Sequence, residues 1–344
     1  MYSFKDDYSE GAHQKILQAL VKTNFEQEDG YGMDSHSLRA IKLIKESVDD
    51  ESVDVHFISG GTQTNLLAIS CCLKPHEACI SAKTGHIATH ETGAIEATGH
   101  KIITIDNLEG KLSEEAIKPI LNQYNFEYSV KPRVVYISNP TELGTIYTKD
   151  ELKSLYEFCK RNDLLLYLDG ARLSSALTVK EANLTLKDIN KYTDAFFFGG
   201  TKNGALLGEA LIFSNEAFKT DFRYMLKQRG AMLAKGRIIG IQFETLLENG
   251  LYLELANHAR KLAQKMQKEL KKIGVEFLIE APTNQIFPLF SNEIINKLKK
   301  DFDFHIWSIL DSGNSYIRLV FSWATEEKVV DEFIDKVKKI KGVI

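Results

Sequence analysis

The chain has 344 residues, 44% hydrophobic and 26% charged, with a formal net charge of -4 at pH 7. This length suits one large domain plus a smaller one, and the composition is that of an ordinary soluble globular protein. The mild charge excludes a broad basic footprint for nucleic acid, so an anionic ligand must be held by local groups.

The segment Met1-Tyr2-Ser3-Phe4-Lys5-Asp6-Asp7 has no basic stretch followed by an apolar run, so no signal peptide is expected. No apolar stretch approaches the roughly 20 residues of a membrane helix. Cys71, Cys72, Cys79 and Cys159 form no CxxC pair and no metal-ligand spacing. Reduced thiols in a cytoplasmic protein are the expectation.

Short apolar runs alternate with amphipathic stretches, the signal of an α/β sheet with crossover helices. Strands are predicted at 55–59, 78–81, 101–105, 133–138, 164–168, 195–198 and 210–213. Several are almost continuously apolar, as strands covered on both faces are. Helices are predicted at 63–72, 113–124 and 149–161. The pattern then changes to long helices over 236–248 and 251–273, broken at Asn249-Gly250. Strands at 275–279 and 285–290, a helix near 293–300, a strand at 316–321 and a helix at 326–340 complete an α+β tail. The expected division is 31–245 for the large domain and 246–344 for the small one. Residues 1–30 are expected to pack on the small domain or on a neighbouring subunit.

In open α/β sheets, ligands sit beyond the carboxyl ends of the strands. After 55–59 comes Gly60-Gly61-Thr62-Gln63-Thr64-Asn65, where two glycines permit a close backbone approach and a helix N-terminus offers free N–H groups. That suits a phosphate, although a plain glycine turn with a threonine cap reads the same way. After 164–168 comes Asp169-Gly170-Ala171-Arg172. Asp169 is placed to pair with a protonated ring nitrogen, and Arg172 offers a planar fork for a carboxylate; a capping Asp and a surface Arg are the plainer account. After 195–198 comes Gly199-Gly200-Thr201-Lys202-Asn203-Gly204-Ala205. Burial there lowers the pKa of the Lys202 amine and makes it nucleophilic, whereas a lone loop lysine is otherwise a solvated charge. The ordered set of anion loop, strand-end Asp and strand-end Lys matches what the phosphate, ring nitrogen and aldehyde of pyridoxal phosphate require.

From Gly30-Tyr31-Gly32-Met33-Asp34 to Ile317-Arg318-Leu319-Val320 the chain resembles the threonine aldolase and β-eliminating lyase group of fold-type-I pyridoxal-phosphate enzymes. The resemblance implies a large domain on a mostly parallel seven-stranded sheet and a smaller α+β C-terminal domain. It implies Lys202 as the Schiff-base lysine, Asp169 as the ring-nitrogen partner, and His86 of Thr84-Gly85-His86 as the histidine stacked on the ring. Gly61 and Thr62 match the phosphate loop, and Arg172 and Arg318 the arginines that hold a substrate carboxylate. Tyr31 matches a tyrosine that approaches a neighbouring subunit's site, so a homodimer or homotetramer is implied. Lys235 or Arg237 is expected at the phosphate, with Lys235 preferred. No metal is expected: His86 and His90 lack a third ligand at a recognisable spacing.

The chain also departs from the group. Relatives commonly carry Asn-Thr-His where this chain has Asn139-Pro140-Thr141-Glu142. The activity implied is cleavage of a threonine-type β-hydroxy-α-amino acid to glycine and an aldehyde, with His86 or a water it orients as candidate base. β-Elimination or transamination, and a non-catalytic pyridoxal-phosphate-binding protein, are the alternatives. A nucleotide-binding α/β protein lacks its glycine fingerprint here.

Overall fold

The structure, a computed structural model, describes residues 1–343. Seven strands form the large sheet: β1 (Asp54–Ile58), β2 (Glu77–Ala82), β3 (Lys101–Ile105), β4 (Lys131–Ser138), β5 (Leu165–Asp169), β6 (Ala195–Gly199) and β7 (Glu209–Phe213). Their order across the sheet is β1-β7-β6-β5-β4-β2-β3. β7 alone runs against the others, pairing antiparallel with both β1 and β6. The seven predicted strands are these seven, each with its ends moved by no more than two residues. β5, β6 and β7 are buried along their whole length because apolar layers cover both faces. One layer includes Ile44, Leu166, Phe196 and Phe243; the other includes Leu67, Tyr136, Tyr167 and Phe197.

The crossover helices carry their own stop and start signals. Lys149–Arg161 begins with a capping box, in which the Thr148 hydroxyl takes the Glu151 N–H and the Glu151 carboxylate takes the Thr148 N–H. Gly61–Cys72 begins at Gly60 with no side-chain cap, leaving its first N–H groups for something else.

The tail forms a second core around Met266, Phe290, Phe302, Phe321 and Phe333, joined by Phe4 from the N-terminal segment. Its sheet contains Gln285–Ile286, Leu289–Ser291, His305–Ile309 and Asn314–Val320, paired antiparallel. The strand expected over 285–290 is interrupted at Pro288, which has no N–H to give to a ladder. The strand expected over 275–279 is reduced to one bridge, Phe277 to Pro288. Leu251–Lys272 serves both cores: Leu251, Tyr252 and Leu255 pack with the large sheet, and Ala259 to Leu270 with the tail. Tyr2–Ser3 pairs with Phe302–Asp303, and the Val320 N–H donates to the Phe4 carbonyl. No helix among the described residues is long and apolar enough to cross a membrane.

Candidate active site

The carboxyl ends of β4, β5 and β6 deliver Ser138, Asp169 and Gly199 to one edge of the sheet. Gly170 explains why that edge is so compact. A Cβ there would lie 1.9 Å from the Phe197 carbonyl oxygen, so only glycine lets the Asp169 turn settle against β6.

Asp169 is buried and its carboxylate is held by three donors. Oδ2 accepts from the Tyr136 hydroxyl at 2.7 Å and the Asn65 amide at 2.9 Å, and Oδ1 accepts from the Ala171 N–H at 2.9 Å. Oδ1 keeps acceptor capacity for one further donor, such as a protonated ring nitrogen. Asn65 is itself fixed: it accepts from Tyr167 at 2.9 Å and donates to Glu91 at 2.7 Å. The same Glu91 oxygen lies 2.7 Å from His86 Nδ1. A chain of contacts thus runs from Asp169 through Asn65 and Glu91 to His86. Burial raises the Glu91 pKa, with His86 and Asn65 opposing it.

Lys202 lies in the wall of the same space, its Nζ 5.9 Å from the Tyr8 ring centre. Burial, then the positive charge of Arg172, holds its pKa below the ordinary 10.5, as a nucleophilic amine requires. A cavity of about 590 Å³ opens beside it, walled by Tyr8, His86, Glu142, Arg172, Trp307 and Arg318 among others. A narrower crevice of about 40 Å³ continues inward to Gly61, Asn65 and Asp169. A flat phosphate-bearing ring would lie where the cavity meets the crevice, beside Lys202. The uncapped start of Gly61–Cys72 at one end, Asp169 and the desolvated Lys202 amine supply the donor set that pyridoxal phosphate needs.

The two predicted arginines reach the cavity in different states. The Arg172 fork is filled: Nε donates to Asp7 Oδ2 at 2.6 Å and Nη2 to Oδ1 at 3.0 Å. The fork expected to clamp a carboxylate therefore clamps Asp7, because the N-terminal segment passes over the sheet edge; only Nη1 is left without a partner among the described residues. Arg318 is looser. Nη2 contacts the Lys5 carbonyl at 3.2 Å and Asp6 at 3.4 Å, the guanidinium lies 5.5 Å from the Trp307 ring centre, and Nε is buried without a partner.

Three predicted residues lie apart from this cavity in their own chain. Tyr31 is exposed, with a positive φ of 61°, and lines a separate crevice with Met33, His56 and Arg223. Lys235 is exposed and follows Ala234, whose carbonyl accepts from the Tyr31 N–H. Arg237 donates to the carbonyls of Glu26 and Asn24. Thr62 is exposed in the first turn of its helix, beside Gly61 in the crevice wall.

Several site residues escaped the sequence. Asn65, Tyr136 and Tyr167 lie inside elements and look like core positions until their polar atoms are traced. Asp7 acts on Arg172 from the other end of the chain. His305, Ile306 and Trp307 come from an unpredicted strand. Glu142 was visible only as a departure from the aldolase motif.

Comparison with known proteins agrees with this geometry. A match to the beta-eliminating lyase family covers residues 6–292. The chain is 34% identical to the low specificity L-threonine aldolase of Pseudomonas sp. (strain NCIMB 10558), across 97% of this chain and 96% of that protein. It superimposes on the structure of Leishmania major threonine aldolase with a TM-score of 0.98 and 47% identity, covering 99% and 100% of the two chains. It shares its fold with the histidinol-phosphate aminotransferase of Clostridium acetobutylicum, at 14% identity and a TM-score of 0.74 over all of both chains. With its strand-end Asp169 and half-buried Lys202 in the family's sheet, the chain belongs to the beta-eliminating lyase family, within its threonine aldolase group.

Proposed function

We propose that this chain is a pyridoxal-phosphate-dependent lyase that cleaves a β-hydroxy-α-amino acid of the threonine or allo-threonine type into glycine and an aldehyde. The observation that carries the reading is the meeting of crevice and cavity at Lys202. The crevice ends on Asp169, and the cavity is walled by Arg172 and Arg318. The similarity to L-threonine aldolases supports the reaction type.

In this reading Lys202 carries the cofactor, Asp169 Oδ1 accepts from its ring nitrogen, and His86 covers its ring. Gly61, Thr62 and the first turn of their helix receive its phosphate. When bound, the cofactor serves as a sink for electrons released at Cα. Arg318 and the free Nη1 of Arg172 orient the substrate carboxylate, which fixes the bond that breaks. Two groups at the cavity wall can accept the β-hydroxyl proton, His86 and Glu142. Tyr31 and Lys235 belong, in the same reading, to the site of a neighbouring subunit in a homodimer or homotetramer. The division into 1–30, 31–245 and 246–344 is also part of the proposal; the apolar cores separate between Leu255 and Ala259, and residues 1–30 contribute Phe4 to one and Ala12 and Ile16 to the other. A cytoplasmic location is part of the proposal, and the four cysteines stand unpaired.

The test is an absorption spectrum of the purified protein with and without L-threonine or L-allo-threonine, with glycine and aldehyde assayed alongside. A band near ~420 nm, usual for lysine-bound pyridoxal phosphate, should be present and should vanish in Lys202→Ala. No band after adding the cofactor would refute the assignment. β-Elimination is the second reading, favoured by the absence from 139–145 of the histidine that the resemblance leads one to expect; release of a 2-oxo acid in place of glycine would establish it.

A further inference from the structure

Four side chains line both the large cavity and the crevice behind it: His86, Glu142, Arg172 and Lys202. They mark the junction where the reacting bonds of a substrate must lie. Arg172 has no acceptor atom, and Lys202 is required to protonate Cα. His86 is tethered through Nδ1 to Glu91, and a ring lying flat on a cofactor directs its remaining nitrogen within its own plane.

Glu142 is held differently. Oε1 accepts from the Ser138 hydroxyl at 2.7 Å and from the His86 backbone N–H at 2.9 Å. Those two donors fix the carboxylate. Oε2 has no partner among the described residues and is not enclosed, so it faces the open junction.

We propose that Glu142 is the base that takes the proton from the substrate's β-hydroxyl, with Oε2 as the accepting atom. This rests on the aldolase reading above. The hydroxyl O–H bond breaks and its proton bonds to Oε2. The freed electron pair forms the aldehyde carbonyl, and the Cα–Cβ pair stays with Cα. Lys202 delivers a proton to Cα to complete glycine, and exchange with solvent resets both groups, so no net proton is consumed. Burial, and then the nearby Asp169 charge, raise the Glu142 pKa, while Ser138 and His86 oppose them. The balance brings the carboxylate nearer the working pH, where a base is most effective.

The experiment compares two reactions of the holoenzyme. Exchange of the glycine α-proton with D2O, followed by NMR, needs the cofactor, the arginines and Lys202 but no β-hydroxyl. Aldehyde release from threonine needs all of these and the base. Glu142→Gln should keep the cofactor band and glycine exchange, and lose aldehyde release by about 10²- to 10⁴-fold. Glu142→Asp, which keeps the charge, should recover part of that loss. In the cofactor-free protein, Glu142→Gln should also remove a carboxyl that titrates above 4.5 by infrared spectroscopy. If Glu142→Gln fails to bind cofactor, the same comparison is made with Glu142→Asp, where cleavage must fall more than exchange. Equal loss of exchange and cleavage, or undiminished cleavage, overturns the assignment. Absence of aldehyde from the unsubstituted enzyme overturns the aldolase reading, and this assignment with it, before any variant is made.

Discussion

Arg172 and Asp7 form a buried, two-pronged ion pair between the sheet edge and the N-terminal segment, with Asn284 donating a further bond to Asp7 at 3.0 Å. Removing one partner leaves the other charge buried and unmatched. Asp7→Ala should therefore destabilise the fold by about 3–5 kcal/mol, read from urea unfolding. Burial raises the Asp7 pKa, but Arg172 and Lys202 outweigh it, so the folded value lies below the ordinary 3.8. The pair's contribution is thus full above pH 3.8 and is lost as pH falls toward the folded value. A mutant that unfolds with the same midpoint as the parent at pH 7 would contradict this.

Gly170 should be irreplaceable for steric reasons. Its added Cβ meets a backbone oxygen at 1.9 Å, which cannot rotate away. Gly170→Ala is expected to cost more than about 3 kcal/mol and to lower cofactor affinity, because Asp169 and Arg172 flank the displaced turn. Thermal melting together with cofactor titration would show both effects, and retention of both would refute the packing argument.

Tyr136 contributes one of three bonds to Asp169. Tyr136→Phe keeps the ring and removes the hydroxyl, at a cost of about 1.5–3 kcal/mol for a bond to a charged group. The cofactor band should survive, with affinity lower by roughly 10- to 100-fold. An unchanged dissociation constant would show that Asn65 and the Ala171 N–H are sufficient.

Glu209, opposite Gly199 on β7, has an oxygen buried without a partner. Burial pushes its carboxyl up to about 8, with Thr201 and Lys202 opposing. A raised folded value means that its stabilising contribution is full below pH 4.5 and is lost as pH rises through about 8. Glu209→Gln, permanently neutral, should melt above the parent at pH 9 in the cofactor-free state and draw level with it near pH 4. Identical melting curves at both pH values would count against the shift.

The large sheet was legible because its strands are apolar runs between turn signals, and full burial erases any ambiguity of face. The strand His305–Ile309 was not, because none of its residues is fully buried and its sequence neither alternates nor runs continuously apolar beside the open cavity. The helix Ser35–Val48 buries His36 and Ser37 beside Ala40, Ile44 and Val48, so part of its inner face reads as polar. At the site, Asp169 and Lys202 could be read because each ends a strand and stands next to glycines. Asp7, Asn65 and Tyr136 could not: their roles depend on partners more than 30 residues away, set by the fold. The Arg172 fork shows the same limit. Its geometry was foreseeable, but its occupant was not.

The N-terminal segment ties together parts of the chain that are made far apart in time. Tyr2–Ser3 pairs with Phe302–Asp303, Asp7 with Arg172, and the His13 N–H with the Gly204 carbonyl. Contacts of such long sequence separation close large loops and form late. During synthesis Tyr2 and Ser3 must wait for Phe302 and Asp303 before they find their places. The arginine cluster beside Lys202 is therefore among the last features to be assembled, and a nascent chain still lacking its tail sheet holds Asp7 and Arg172 without the strand that anchors the segment between them.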